Sequence, residues 1–222
     1  MKKTMFTVMV VLLSISVAYA AQNVRNTKHN LTATTSPYYT TATDRVCVFC
    51  HTPHFASTGN APLWNRELPT GPYNMYTSAT IDMTIQSSPK GVSLACLSCH
   101  DGTVAFDSLA NAPGSGGVTT TPTSLEWTFA GGGNTMTDTT SPAAMLGTDL
   151  TNDHPISITY DTSKDSAFHS IAEVKTGGLT LYGSDKDQVE CGSCHNPHED
   201  TLPTFLRISN ENSDLCLTCH IK

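Results

Sequence analysis

The sequence predicts a chain that is mostly loop, with a few short helices and minor β-structure, folded around an interior that its own side chains do not fill. Three observations carry this expectation. Only 38% of the 222 residues are hydrophobic. The chain holds 34 Thr, 15 Gly and 12 Pro, residues that favour strands, turns and irregular backbone over helix. Its eight cysteines fall into four C-x-x-C pairs, and each pair is followed at once by a histidine.

The first element in chain order is a leader. Met1, Lys2 and Lys3 precede an uncharged run from Thr4 to Ala21, with an apolar centre from Met5 to Val17 and a small-x-small end at Ala18-Tyr19-Ala20. Residues 1–20 read as a secretory signal peptide, which implies an exported protein, at the cell surface or in the periplasm. The alternative is an uncleaved anchor; a spanning helix wants about 20 apolar residues, and this stretch is marginal. Loss of Lys2 and Lys3 takes the formal charge from −7 to −9. An acidic surface argues against nucleic acid and steers cationic partners.

The four cysteine motifs are Cys47-Val48-Phe49-Cys50-His51, Cys96-Leu97-Ser98-Cys99-His100, Cys191-Gly192-Ser193-Cys194-His195 and Cys216-Leu217-Thr218-Cys219-His220. C-x-x-C-H is the signature of covalent haem c attachment. Two thiols at this spacing reach the two vinyl groups of one porphyrin and form thioethers, and the next residue aims its imidazole at the iron. A disulfide scaffold or a pair of four-sulfur zinc sites would also use eight cysteines, but neither requires a histidine after every second one. A thioredoxin-like redox motif is single and sits in a βαβ pattern, which is lacking here. The sequence therefore predicts four haem c groups, with His51, His100, His195 and His220 as proximal iron ligands.

Five histidines remain: His29, His54, His154, His169 and His198. They suffice for a second imidazole on each iron. Met75, Met83, Met136 and Met145 follow no recurrent pattern and read as gap-fillers. Two motifs are extended alike, as His51-Thr52-Pro53-His54 and His195-Asn196-Pro197-His198. Three residues span at most about 11 Å, so the second histidine cannot reach round the ring to the iron of its own motif. His54 and His198 must each serve a different, close-lying haem, which implies stacked haem pairs.

The chain reads as a duplication. Residues 21–109 form a first unit with lone His29, a doubled motif and a C-L-x-C-H motif; residues 152–222 repeat this order from His154. Residues 110–151, rich in Thr and Gly, read as a linker or insertion. The matched places of His29 and His154 make them, with His54 and His198, the expected distal ligands, and His169 an ordinary histidine. A short helix is expected between Ser87 and His100. Strands are expected at Ile156–Tyr160 and Leu179–Tyr182. Trp64, Tyr73, Tyr76, Trp127 and Phe205 read as haem packing.

The runs VCVFCHTPHFASTGNAPLWNR, SLACLSCHDGTVAFD, NDHPISITY, CGSCHNPH and FLRISNENSDLCLTCH resemble the doubled-CXXCH multihaem cytochromes of metal-reducing bacteria, in particular outer-surface tetrahaem c-type cytochromes that polymerise into conductive filaments. The resemblance implies a multihaem cytochrome c fold organised around one stacked, bis-histidine haem chain. It implies electron transfer without catalysis. Its implied partners are further copies of the chain joined head to tail, other multihaem cytochromes, and extracellular metal oxides or electrode-like acceptors. It also implies one haem ligand shared between subunits. His29, on a polar arm, is the candidate for that role, with closure of a haem in its own chain as the alternative. Two other functions stay open: a soluble periplasmic tetrahaem shuttle, and a multihaem oxidoreductase with one open iron.

Overall fold

The computed structural model describes residues 23–57, 61–114, 125–131 and 133–222. The predicted signal peptide and part of the Thr- and Gly-rich insertion lie outside the described residues. Regular structure is sparse, in keeping with the composition. Helix α1 spans Gly91–His100, α2 Ile171–Thr176, α3 Cys191–Cys194 and α4 Asp214–Leu217. Short 3-10 turns occupy Val24–Asn26, Val46–Phe49, Pro203–Phe205 and Glu211–Ser213. No helix among the described residues is long and apolar enough to cross a membrane.

Helix α1 begins later than the expected Ser87, and Pro89 is the reason. The residue before a proline is pushed out of the helical region. The preceding Lys90 is extended, and its N–H donates to Ser157 Oγ at 2.8 Å. The helix buries a face of small residues, Ser93, Ala95 and Ser98, beside Leu97. That face lets α3 approach closely enough for the Cys191 N–H to donate to Ser93 Oγ at 2.9 Å. Helix α2 starts with a capping box, in which Ser170 and Glu173 each satisfy the other's backbone N–H.

Strands β1 (Ile158–Thr159) and β2 (Gln188–Val189) pair antiparallel, with Ile158 opposite Val189 and Thr159 opposite Gln188. The expected strand at 156–160 is thus only two residues long. The expected strand at 179–182 does not form. Leu179 and Leu181 are buried, yet only Tyr182 bridges, to Gln188 across a turn. Gly183 and Lys186 hold positive φ in that turn, which folds the segment straight back on itself and ends any ladder.

Two modest side-chain clusters hold the chain. Tyr38, Phe49, Phe106 and Phe129 form the first. Met83, Ile158, Tyr160, Val174, Leu179 and Leu181 form the second. Residues 81–86 join the second cluster, because Gln86 donates to Ser157 O and Thr159 to Thr84 O, each at 2.9 Å. The two halves therefore share a core. Phe106→Ala is expected to cost about 3–5 kcal/mol, as large-to-small changes at fully buried aromatics do. Denaturant unfolding of the haem-loaded protein measures this, and a loss under about 1 kcal/mol would contradict the assigned core.

Candidate haem-attachment site

The two doubled motifs share one backbone hydrogen-bonding frame, although the first closes a loop two residues longer than the second. After the first, the chain loops out and returns so that Thr52 N–H donates to Leu63 O and Asn65 N–H to Cys50 O, both at 2.9 Å. After the third, Asn196 N–H donates to Phe205 O and Arg207 N–H to Cys194 O, both at 2.8 Å. His51 bridges Trp64 as His195 bridges Leu206. In each hairpin the returning strand passes through positive φ, at Leu63 and at Thr204 and Phe205. The two hairpins that follow the doubled motifs thus repeat one another in geometry.

Each hairpin fixes its proximal histidine. His51 Nδ1–H donates to Pro62 O at 2.8 Å and His195 Nδ1–H to Thr204 O at 2.7 Å. His100 Nδ1–H donates to Ala144 O at 2.8 Å. A carbonyl can only accept, so the proton sits on Nδ1 and the Nε2 lone pair is free for a metal. His29 and His154 are tied in the same way, to Pro197 O at 2.9 Å and Pro155 O at 3.0 Å. Burial pushes His100, His198 and His220 below the usual imidazole range and His29 down to about 4.

The imidazoles then meet in pairs drawn from distant parts of the chain. His51 faces His198 with ring centres 6.0 Å apart and planes 17° from parallel. His29 faces His100 at 6.2 Å and 77°. His154 faces His220 at 6.5 Å and 75°. Metal–imidazole bonds are about 2 Å, so two in line, with the ring radius at either end, fill a gap of roughly 6 Å. Each pair joins one proximal histidine to one distal candidate. His195, His54 and His169 stand outside the three pairs. His54 is exposed, and the His169 ring lies 3.9 Å from Glu173. His29 also stacks on Phe205 at 4.4 Å, so its place is against its own chain and not on a free arm.

The thiols follow one another in space as in sequence. Cys50 lies near Cys99, Cys96 near Cys191, and Cys194 near Cys216 and Cys219, close enough to interact electrostatically. No two of the eight cysteines are joined in a disulfide. Among the described residues no group of three or more His, Cys, Asp or Glu is placed to hold a metal ion by itself, which does not suit four-sulfur zinc sites. The same side chains do suit haem c. A cavity of about 350 Å³ opens beside Cys47 and His51, and another of about 460 Å³ beside Cys216 and His220. The Trp64 indole N–H is buried without an acceptor, 5.9 Å in ring-centre distance from His51. A buried donor left unpaired is the feature expected next to a group that carries carboxylates.

Sequence reasoning missed the residues that bracket these motifs. Asn65 is fully buried; its Nδ2 donates to Val48 O at 2.7 Å, inside the first motif, and to Asn111 O at 3.1 Å. Arg66 beside it reaches Ser98, inside the second motif. Arg207 Nε donates to Gly192 O at 2.7 Å, inside the third. Only alignment of the two hairpins brings Asn65 and Arg207 to one position. Asn65→Ala strands buried carbonyls and is expected to cost about 1–3 kcal/mol in thermal unfolding of the loaded protein. A cost below about 0.5 kcal/mol, the range of ordinary surface changes, would remove the bracket from the account.

Residues 185–222 match the family model described as the doubled CXXCH motif. A search of curated proteins finds no match for the chain. The matched segment holds the third and fourth attachment motifs together with His198. Its mostly looped fold, with few short helices and a minor sheet, is consistent with a small multihaem cytochrome, and its motifs indicate covalently bound haem c and electron transfer.

Proposed function

We propose that the chain is a tetrahaem electron carrier whose irons are held between two imidazoles each, and that it works as the repeating subunit of an extracellular filament. The observation that carries the reading is the set of three facing imidazole pairs, each with a proximal histidine of a C-x-x-C-H motif. Bound haem supplies one-electron exchange at iron. The chain's own residues attach, orient and close each site. The thiols anchor, the carbonyls of Pro62, Ala144 and Thr204 set the tautomers, and His198, His29 and His154 close the far faces.

The leftover histidines support the filament. His195 carries a proximal role and belongs to no pair; His54 is a distal candidate whose ring is exposed. Its carbonyl is pinned by Thr52 Oγ at 2.9 Å and Asn111 Nδ2 at 3.1 Å, so the ring is presented from a fixed base. Phe55, 62% exposed, and Leu63, 54% exposed, lie on the same hairpin and add exposed apolar surface to it. His54 of one copy closing the His195 site of the next makes a heterologous contact that does not close on itself, which yields an open polymer. The role that resemblance gave to His29 passes to His54, because His29 is engaged with His100 of its own chain. An isolated subunit would keep one open iron, so the shuttle and oxidoreductase readings turn on the same histidine.

Intact mass is expected to show four haem additions on the mature polypeptide. Fewer than four contradicts the site assignment. The EPR spectrum of the filament is expected to be wholly low-spin. The near-parallel rings of His51 and His198 should give a rhombic signal, and the crossed rings of the other two pairs should give strongly anisotropic ones, because crossed imidazoles leave the iron d orbitals nearly degenerate. His54→Ala is expected to abolish fibres in electron micrographs and turn about one quarter of the iron high-spin. Intact fibres in that variant would rule out the shared ligand; a wild type without fibres favours the shuttle.

A further inference from the structure

The buried charge on Arg66 has no role in attachment or ligation, yet it lies between two attachment motifs. The residue is 1% exposed. Its guanidinium donates to Ser98 Oγ at 3.1 Å, Ser98 O at 2.8 Å, Ala105 O at 2.9 Å and Phe106 O at 2.6 Å, with Val104 O at 3.5 Å. Every one of these acceptors is neutral. Among the described residues the one carboxylate within 4.0 Å of a basic side chain is Glu173, beside His169, so no acid pairs with Arg66. A buried cation without a counter-charge is costly, and proteins ordinarily pair it. Here the charge acts on its surroundings away from water, with the buried carboxylates of Asp101 and Asp107 near it but not paired to it. Ser98 sits inside the second motif, and adjacent Asn65 grips the first.

Resting on the tetrahaem reading, we propose that Arg66 is a fixed positive charge that raises the reduction potential of the haem groups on the first two motifs, and so orders the electron path along the chain. Reduction adds one electron and lowers the iron's charge by one, from ferric to ferrous. A nearby fixed cation stabilises the less positive state. The second half of the molecule has no equivalent. Ile208 holds the position that matches Arg66, and Arg207 beside it is only half-buried, where solvent screens it. The two halves thus share ligands and differ in field. Arg66 is a positioning residue, since it also caps the carbonyl of Ser98 near the end of α1, and the test must separate charge from structure.

Spectroelectrochemical titration of the purified protein, with intact mass to count haems, makes that separation. Arg66→Met removes the charge and keeps most of the volume. It is expected to move one or two of the four transitions to lower potential and leave the others in place. Arg66→Lys keeps the charge and gives up most of the hydrogen bonds; it is expected to hold the wild-type potentials while losing thermal stability. Equal shifts in both variants, or four unmoved transitions in Arg66→Met, overturn the proposal and leave the tetrahaem reading intact. Should Arg66→Met fail to load haem, lowered potentials in a fully loaded Arg66→Lys variant overturn it by themselves. A wild-type polypeptide that carries no covalent haem overturns both.

Discussion

Imidazole pairs drawn from well-separated points of the chain are the constraint on which the remainder depends. His29 meets His100, His51 meets His198 and His154 meets His220. On the proposed reading each pair is a cross-link through one metal, closing a long loop as a disulfide would and removing chain entropy from the unfolded state. That accounts for a fold with two small aromatic and aliphatic clusters and little regular structure. The side chains need only hold the attachment turns in place, and most of their hydrogen bonds are local turns and hairpins spent on doing so.

The duplicated hairpins explain how such a fold is assembled from few instructions. A C-x-x-C turn, a proximal histidine and a returning strand with a left-handed residue form one reusable unit. The backbone carbonyl that orients the imidazole belongs to that unit: Pro62 in one copy, Thr204 in the other. Divergence is confined to the strand that returns. It carries Asn65 and buried Arg66 in the first copy, and half-buried Arg207 in the second. On the proposed reading, equivalent sites therefore sit in unequal fields.

The sequence was most legible where covalent chemistry dictates spacing. The cysteine motifs, the doubled histidines and the repeat were all plain, and the matched family segment covers the last two motifs. Helix α1 was visible from its apolar run, although Pro89 delayed its start. The strands were less so: alternation at 179–182 reflects burial against Tyr160 and Val174, while Gly183 turns the chain before a ladder can form. Which imidazole meets which could not be read, because pairing depends on tertiary contacts. His29 looked like a free arm until Phe205 and Pro197 were seen to hold it. Asn65 and Arg66 gave no signal, since buried polar residues that bracket loops have no periodicity and no motif.

Anomalous X-ray scattering at the iron edge, on crystals or oriented fibres of the haem-loaded protein, tests the central claim most directly. The account predicts iron peaks midway between the rings of His51 and His198, of His29 and His100, and of His154 and His220. Iron positions that leave any of these three gaps empty would contradict it.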